Sequence, residues 1–301
     1  MKADQHTKQV SLIAYFENYG LLIILSIIWG LAFVAIRELV LELSFVDLTL
    51  LRWFVASAGY LALMPFIGKS KAPLNRADIP RLLFVGFLSV PGYHLCLNYA
   101  EVTVSAGLAG LLISTGPVFS TLLAAFFLKE KVGVLTVTAL VFAVGGATIL
   151  SAGDFSTGGG LSGPIAVVLA ALSFATFGVF SQPLVKKYGA LPVAIWAGIV
   201  GTIMILPLVS TTFFIDVSKL SPVGWGALFY LSLLCTVLCY SLFFRLVERS
   251  GVSRLMIQLY LVPVVGVVGG VLLLGETITA STFLGGALIM FAVWLATRKK
   301  T

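Results

Sequence analysis

The stretches TGPVFSTLLAAFFLKEK (115–131) and LVPVVGVVGGVLLLGET (261–277) decide the fold, because they are two copies of one pattern. Each has a proline, then twelve residues, then a glutamate: Pro117 with Glu130, and Pro263 with Glu276. Both pairs have the same offset of 146 positions (263 − 117 and 276 − 130). A repeat of this length in a chain of 301 residues predicts that the protein is a doubled unit.

The composition predicts a membrane protein. The chain is 59% hydrophobic and 10% charged, with a mean hydropathy of +1.10, whereas a soluble domain carries about 25% charged residues. Several apolar runs reach the roughly 20 residues that a helix needs to cross a bilayer. The runs lack the alternation of barrel strands, so we expect helices, which satisfy their own backbone hydrogen bonds in lipid.

We expect an all-α integral membrane protein with ten transmembrane helices, arranged as two inverted five-helix repeats around a central cavity. Residues 1–18 form a cytoplasmic tail, residues 19–152 the first repeat and residues 161–298 the second. The predicted spans are 20–40, 46–67, 80–100, 104–128, 132–151, 162–186, 190–212, 222–247, 252–274 and 278–297.

The lysines and arginines predict the orientation. If the N-terminus is cytoplasmic, the cytoplasmic segments hold 16 of these residues and the opposite segments hold only Arg37 and Lys219. This bias places both termini in the cytoplasm and the protein in the cell (inner) membrane. Five spans per half make the second half enter upside down, so Glu130 is expected inside and Glu276 outside. Inverted repeats are typical of secondary transporters.

Two further segments, WGLAFVAIREL (29–39) and LTLLRWFVAS (48–57), complete a family resemblance. With the repeated proline–glutamate stretch, they make residues 18–297 resemble the EamA-type branch of the drug/metabolite transporter superfamily. The resemblance implies a cavity lined mainly by helices 1, 3, 4, 6, 8 and 9, and movement of small organic metabolites, often export of amino acids or drugs. The second half departs from the pattern, because it has no arginine matching Arg52 and has Phe174 in place of Trp29.

The third span holds the densest group of polar residues at membrane depth. Tyr93, His94 and Asn98 lie there, and His94 and Asn98 share a helix face at i, i+4. Polar groups in hydrocarbon are costly, which favours substrate contact; proton coupling by His94, or a neutral histidine used for packing, are the alternatives. The repeat offset pairs His94 with Tyr240, which should face it across the pseudo-axis.

The fourth and ninth spans carry the repeated prolines with polar residues just before them. Ser114 precedes Pro117, and Gln258 and Tyr260 precede Pro263. Each proline removes one hydrogen bond from its helix and should kink it, leaving a free carbonyl for substrate or simply a bend.

An aromatic wall is predicted from Trp29 and Phe33 in the first span, with Phe177 as a counterpart in the sixth. Arg52 is either an ion-pair partner for an acidic residue at the outer edge (Glu38, Glu42, Asp47 or Glu101) or part of a gate. Glu130 and Glu276 are expected to cap helices five and ten, a structural role.

These observations favour a secondary transporter that exports amino acids or similar amphipathic compounds by alternating access. An intramembrane enzyme and a channel-like structural subunit are the alternatives, and both lack support from a catalytic constellation or a partner motif. We expect no cofactor, no metal and no nucleic acid. The expected partners are the substrate, the lipid bilayer and a second copy in a possible homodimer.

Overall fold

The computed structural model describes residues 2–63, 70–127, 134–156, 160–243 and 258–297, and every regular element in these ranges is helical. In chain order the main helices are α1 (Lys2–Leu39), α2 (Phe45–Leu63), α3 (Arg76–Ala100), α4 (106–127), α5 (Val134–Ser156), α6 (Ser162–Tyr188), α7 (Ala190–Ile205), α8 (Pro222–Phe243), α9 (Gln258–Leu274) and α10 (Ala280–Thr297).

The described helices differ in length. Six regions are long and apolar enough to cross a membrane: Gly20–Leu39, Phe45–Ala62, Arg76–Ala100, Ser162–Tyr188, Ala190–Leu208 and Pro222–Phe243. Within the described ranges, four more apolar helices are shorter: Ala106–Ser120, Val137–Ala152, Leu261–Leu274 and Ala280–Leu295. The chain is therefore an α-helical, multi-pass membrane protein.

Two helices widen in their middle part. In α3 an α-helical piece (Ile79–Phe87) leads into a π-helical piece (Leu88–Leu95), and in α8 Pro222–Phe229 leads into π-helical Tyr230–Leu238. Pro91 explains the first, because proline has no N–H with which to continue the α-helical pattern. Segments of π-helix are frequent at functional sites, because they change which backbone carbonyls are free.

The two repeated prolines act differently. α4 is interrupted at residues 114–115, between Ala106–Ile113 and Gly116–Phe127, so the kink predicted at Pro117 is present. α9 runs as one α-helix through Pro263, from Gln258 to Leu274.

Two regions differ from the sequence-based expectation. α1 begins at Lys2, so residues 2–18, expected as a cytoplasmic tail, are helical and continuous with the first span. The connection after α7 holds a 3₁₀ turn (Leu206–Leu208) and a short helix (Phe213–Ser218), where part of a span and a loop were expected. Polar and apolar residues alternate too irregularly there to give a helical period.

The packing follows the numbering of the helices in the two halves. α1 packs against α9 and α6 against α4, while α3 packs against α7 and α8 against α2. α4 also meets α9, and α5 meets α10. Exchanging each helix with the one five places along the chain turns this set of pairs into itself. Glycines allow the closest approaches between helices. Gly146 and Gly285 bring the backbones of α5 and α10 together, and Gly30 of α1 packs directly against α9.

Hydrogen bonds between the halves define two ends of the molecule. At the end where α1 finishes, the Glu42 carboxylate accepts from the backbone N–H of Ser221 (2.7 Å), which begins α8. At the end where α6 finishes, the Tyr188 hydroxyl accepts from the backbone N–H of Asn75 (3.0 Å), which precedes α3. We call these the Glu42 end and the Tyr188 end. Because α3 starts at one and finishes at the other, α1 and α6 run in opposite directions relative to α3.

Candidate substrate site

Two aromatic side chains donate hydrogen bonds to backbone carbonyls in the widened part of α8. The Trp29 indole N–H donates to the carbonyl of Cys235 (2.9 Å), and the Tyr60 hydroxyl donates to the carbonyl of Thr236 (2.9 Å). Trp29 also packs against Tyr240, with ring centroids 5.6 Å apart. The π-helical segment thus holds α1 and α2 against α8. Aromatic rings line the region where α2, α3 and α8 meet, which we call the junction.

Arg52 reaches from α2 to the same segment. One guanidinium nitrogen donates to the Thr236 hydroxyl oxygen at 3.3 Å, and that hydroxyl donates to the carbonyl of Leu231 (2.8 Å). Arg52 is 5% exposed. Its charge lies within electrostatic range of Tyr93, His94 and Tyr240, so its positive field covers the junction of α2, α3 and α8.

The polar group of α3 faces this arginine. The His94 ring lies between those of Trp53 (5.1 Å between centroids) and Tyr93 (4.7 Å), both edge to face. Tyr93 also contacts Phe174 of α6 at 5.3 Å. These contacts confine His94 among aromatic rings, an arrangement that aromatic quadrupoles favour.

Seven buried side-chain atoms in the described residues have no hydrogen-bond partner in the protein. They belong to six residues on α2, α3, the turn after α3, and α8: Arg52 (Nε), Trp53 (Nε1), His94 (Nδ1), Asn98 (Oδ1), Glu101 (both carboxyl oxygens) and Ser232 (Oγ). Buried polar atoms in native proteins are usually paired, and leaving one unpaired is costly. This concentration marks the junction as a place suited to a polar partner.

Acidic groups collect at the Glu42 end of the junction. Both oxygens of Glu101, in the turn after α3, are buried, and burial raises the pKa of this carboxyl well above its usual range. The positive charge of Arg37 opposes the rise in pKa, and the Glu276 carboxylate reinforces it. Arg37 itself donates to the backbone carbonyls of Glu101 and Val102.

Glu276 caps a different helix from the expected one. It precedes α10, yet its carboxylate accepts from the backbone N–H groups of Ala106 (2.6 Å) and Gly107 (3.0 Å) at the start of α4. Negative charge is stabilised there by the helix dipole. The role is structural, as expected, but it joins the two halves.

The ion pair expected for Arg52 is not formed in the described part of the chain. Glu42 binds Ser221, and Asp47 accepts from Ser44 and from the backbone N–H of Ser210. Glu101 has no hydrogen-bond partner there. Arg52 lies too deep for the acidic residues of the loops, so it bonds to a neutral hydroxyl instead.

The other predicted site residues fall into two groups. Tyr93, His94, Asn98, Trp29 and Tyr240 lie at the junction, where the Asn98 amide donates to Thr49 (2.8 Å). Tyr240 contacts Trp29, and it lies close enough to Arg52 for the positive charge to act on it.

Three predicted residues serve packing or local bonding instead. Phe33 is 4% exposed and fills the space beside Gly110 and Gly266, and Phe177 packs on the core around Leu184. The Ser114 hydroxyl donates to the carbonyl of Gly110 in its own helix (2.8 Å). An apolar face in the sequence does not distinguish a cavity wall from a packed wall.

Some predicted residues lie outside the part that the structure describes. Glu130 is one, and the side chains of Gln258 and Tyr260 are others.

Tyr60, Thr49 and Thr236 contact the site although the sequence-based selection omitted them. Tyr60 lies eight positions after Arg52 and Thr49 three before it, so helical spacing places all three on one face of α2. That spacing was the available signal. The role of Thr236 depends on the π-helix, which the sequence YLSLLCTVL (230–238) does not indicate.

A separate cavity of about 510 Å³ lies between α4, α5 and α6. Its wall is almost entirely apolar, with Thr115, Thr148 and Ser151 as its polar members. The hydroxyls of Thr148 and Ser151 already bond within their own helix. None of the six residues with unpaired atoms lines this cavity, so the junction remains the better candidate for a polar substrate.

Comparison with known proteins identifies relatives over the whole chain. The model of the EamA-like transporter family matches twice, at residues 18–152 and 161–298. The chain is 32% identical to a probable terminal-alkyne amino-acid exporter of Streptantibioticus cattleyicolor, over 92% of each protein. It is 31% identical to the uncharacterized transporter YdfC of Bacillus subtilis (88% of this chain, 86% of the relative). It is 25% identical to a probable amino-acid metabolite efflux pump of Escherichia coli (91% and 93%).

A solved crystal structure shares the fold. It superposes with a TM-score of 0.62 at 17% sequence identity, and the match covers 93% of this chain and 95% of that one.

Proposed function

Because the chain belongs to the EamA-like transporter family, we propose that this membrane transporter exports amino acids or similar amphipathic metabolites by alternating access. Two relatives named for amino-acid export or efflux support the cargo class. The observation that carries the proposal is the group of unpaired polar atoms at the junction of α2, α3 and α8. Polar groups inside a membrane protein mark substrate pathways.

The architecture proposed for this activity is two inverted five-helix repeats. The opposite directions of α1 and α6 relative to α3 support it. The repeat offset relates Glu42 to Tyr188 and Asn75 to Ser221, so the hydrogen bonds at the two ends are equivalents of one another. An inverted pair of this kind places the site near the midplane, between the halves.

Alternating access requires contacts that close one end and release it. At the Glu42 end three links cross between the halves: Glu42 to Ser221, Asp47 to Ser210, and Glu276 to the start of α4. We propose that this end faces the outside, in keeping with the positive-inside bias. Opening it would exchange these three links for water.

The orientation is testable with cysteines at exposed positions. Ala77 lies at the Tyr188 end and Thr277 at the Glu42 end, and both are exposed. Ala77→Cys should react with an impermeant maleimide only from the cytoplasmic side, and Thr277→Cys only from the outside. Labelling of both from one side would refute the inverted arrangement.

Transport itself is testable in proteoliposomes. The purified protein should catalyse saturable counterflow of at least one of the twenty standard amino acids. His94→Ala should reduce the rate at unchanged expression, whereas Phe214→Ala, on the exposed short helix, should not. Flux that does not saturate would indicate a channel-like subunit.

A further inference from the structure

Resting on the proposed function, we infer that Arg52 is the binding group for the carboxylate of the cargo. The substrate class then narrows to amphipathic metabolites that carry a carboxylate, with the apolar part against the aromatic rings of the junction. Three features of the arginine lead to this assignment: its burial, its partners and its neighbours.

Arg52 is buried, and its charge acts on the Glu101 carboxyl, but within the described residues it forms no hydrogen bond or ion pair with a carboxylate. A buried cation is costly unless it is paired and hydrogen-bonded, and within the described residues the guanidinium has one bond, 3.3 Å from a neutral hydroxyl. The Nε atom has no partner. The planar guanidinium offers five N–H donors that match a carboxylate in a two-point contact. The protein has placed this group in a low-dielectric site and left most of its donors unused.

Arg37 shows what an arginine with a structural role looks like in the same molecule. Its guanidinium donates to two backbone carbonyls, those of Glu101 and Val102, and so fixes the turn between α3 and α4. Arg52 fixes no turn, because Thr236 Oγ1 donates to Leu231 within α8 whether or not the arginine is present. The N–H donors of Arg37 therefore hold a turn in place, whereas those of Arg52 hold no turn in place.

The surroundings of Arg52 suit the rest of such a molecule. Tyr93 and Tyr240 lie within range of its charge, on α3 and α8, and Trp29 packs on Tyr240. These rings belong to both halves of the chain. A carboxylate on Arg52 would leave an apolar side chain among them, and the site would form only when the halves meet.

The test uses matched ligands on the wild-type protein. Counterflow of L-phenylalanine and of L-leucine is measured with unlabelled competitors: L-phenylalaninol and 2-phenylethylamine, which lack the carboxylate, and 3-phenylpropionate, which keeps it. A hydrogen-bonded charge contact is worth about 10- to 100-fold in affinity. We expect L-phenylalaninol and 2-phenylethylamine to compete about 10- to 100-fold more weakly than L-phenylalanine, and 3-phenylpropionate to remain close to it.

Two substitutions then locate the effect. Arg52→Met keeps the unbranched apolar stem of the side chain and removes the guanidinium charge, so the apparent affinity for L-phenylalanine should fall to that for L-phenylalaninol. Arg52→Lys keeps the charge without the two-point contact and should lie between. The melting temperature of Arg52→Met should equal or exceed that of the wild type, whereas Arg37→Met should melt lower because two carbonyls lose their donor.

The outcomes separate the two proposals. Saturable counterflow without discrimination between L-phenylalanine and L-phenylalaninol refutes the inference and leaves the transport function standing. Discrimination that survives Arg52→Met, or a fall in melting temperature as large as that of Arg37→Met, also refutes the inference. Absence of any amino-acid counterflow by the wild type refutes the proposed function, and the inference falls with it.

Discussion

The two halves of the chain have the same helix packing, which we call the frame, but they carry different side chains at the junction. Their helices pair in equivalent ways, and the hydrogen bond from Ser221 to Glu42 has its equivalent in the bond from Asn75 to Tyr188. At the junction the repeat offset relates Arg52 to Gly198 and His94 to Tyr240. Duplicated positions that hold the frame keep their contacts, while duplicated positions around the site carry different side chains.

The difference has a physical reason. A cation at both equivalent positions would bring two buried like charges into one low-dielectric space, which is unfavourable. Gly198 has no side chain, so the Trp53 ring packs directly against its backbone, and the His94 ring packs on Trp53. The first half therefore provides the charge of Arg52. The second half provides the space beside Gly198 and the hydroxyl and carbonyl groups of α8.

The helix breaks show the same division. α4 is interrupted before Pro117, and α9 is continuous through Pro263. The Ser114 and Thr115 hydroxyls donate to carbonyls of the turn that precedes the break, Gly110 and Leu112. The equivalent positions in α9 are Tyr260 and Leu261, which have no short hydroxyl to replace the lost bond. The local sequence around each proline thus decides whether the helix breaks.

The largest effect is expected from adding a side chain at Gly198, where the second half has none. In Gly198→Ala the new Cβ would collide with the Trp53 ring, which is 3% exposed and has no room to move. Overpacking of this kind costs about 1–3 kcal/mol. The melting temperature of the purified protein should therefore fall, and Trp53→Leu in the same chain should restore part of it.

Gly226→Ala is the matched control for that substitution. Nothing lies within 4 Å of a Cβ at Gly226, which is in a helix, so the change should be neutral or slightly stabilising. Equal melting temperatures for Gly198→Ala and the wild type would show that the asymmetry at this position is not a packing requirement.

The next effect concerns the link that the second half makes to the first through Glu276. Glu276→Ala removes the acceptor of two backbone N–H groups at the start of α4, and each bond to a charged group is worth about 1.5–3 kcal/mol. The Glu42 end should open more often. Val104, buried beside Gly163 at that end, provides the reporter, and Val104→Cys should react faster with a maleimide when Glu276 is absent.

Glu38→Ala is the control, because the Glu38 carboxylate has no hydrogen bond or ion pair within the described residues. It removes the same charge from the same end of the molecule. If both substitutions speed labelling equally, the effect is a general one of charge, and the link from Glu276 to α4 does not hold the end closed.

A smaller effect, dependent on pH, is expected from Glu101. Its raised pKa means that the folded protein binds this proton more tightly than the unfolded chain does, where the pKa is about 4.3. Stability therefore falls as the pH rises above the unfolded pKa, until the folded carboxyl has ionised. Arg37 and Arg52 favour ionisation of this carboxyl, and Glu276 opposes it.

Glu101→Gln removes this ionisation. The variant and the wild type should have similar melting temperatures near pH 4, and the variant should melt progressively higher than the wild type as the pH is raised. A constant difference between the two proteins at every pH would show that Glu101 does not titrate over this range.

The frame was largely readable from the sequence, because apolar length and the proline–glutamate repeat are local and periodic signals. The all-helical class and the six long apolar helices follow from them, and so does the interruption of α4 before Pro117. The polar group at Tyr93, His94 and Asn98 is a candidate for a similar reason, since polar side chains in an apolar run stand out.

The partners of those residues were not readable in the same way. The link from Glu276 to Ala106 joins residues 170 positions apart, and the bond from Tyr60 to Thr236 joins residues 176 positions apart. Contacts between residues so far apart in the chain leave no periodic pattern in the sequence. The packing of Phe33 against Gly110 and Gly266 is likewise a tertiary property.

The smallest effect compares the two ends directly. Glu42→Gln weakens the two bonds that Ser221 donates, from its backbone N–H and its hydroxyl. Tyr188→Phe, at the equivalent position of the opposite end, removes the bond from Asn75 and the bond that the hydroxyl donates to Asp78. Replacing the charged acceptor of Glu42 by a neutral one, or losing the neutral bond from Asn75, changes the free energy by about 0.5–1.5 kcal/mol, a factor of roughly 2–10 in the population of an open end. Glu42→Gln should speed maleimide labelling of Val104→Cys at its own end, and Tyr188→Phe should speed labelling of Leu184→Cys, which is buried on α6 near the other end. Because the ends open alternately in the proposed cycle, each substitution should slow labelling at the opposite end. Faster labelling at both ends from either substitution would mean that the halves loosen together, and these bonds would then be local fastenings with no part in alternation.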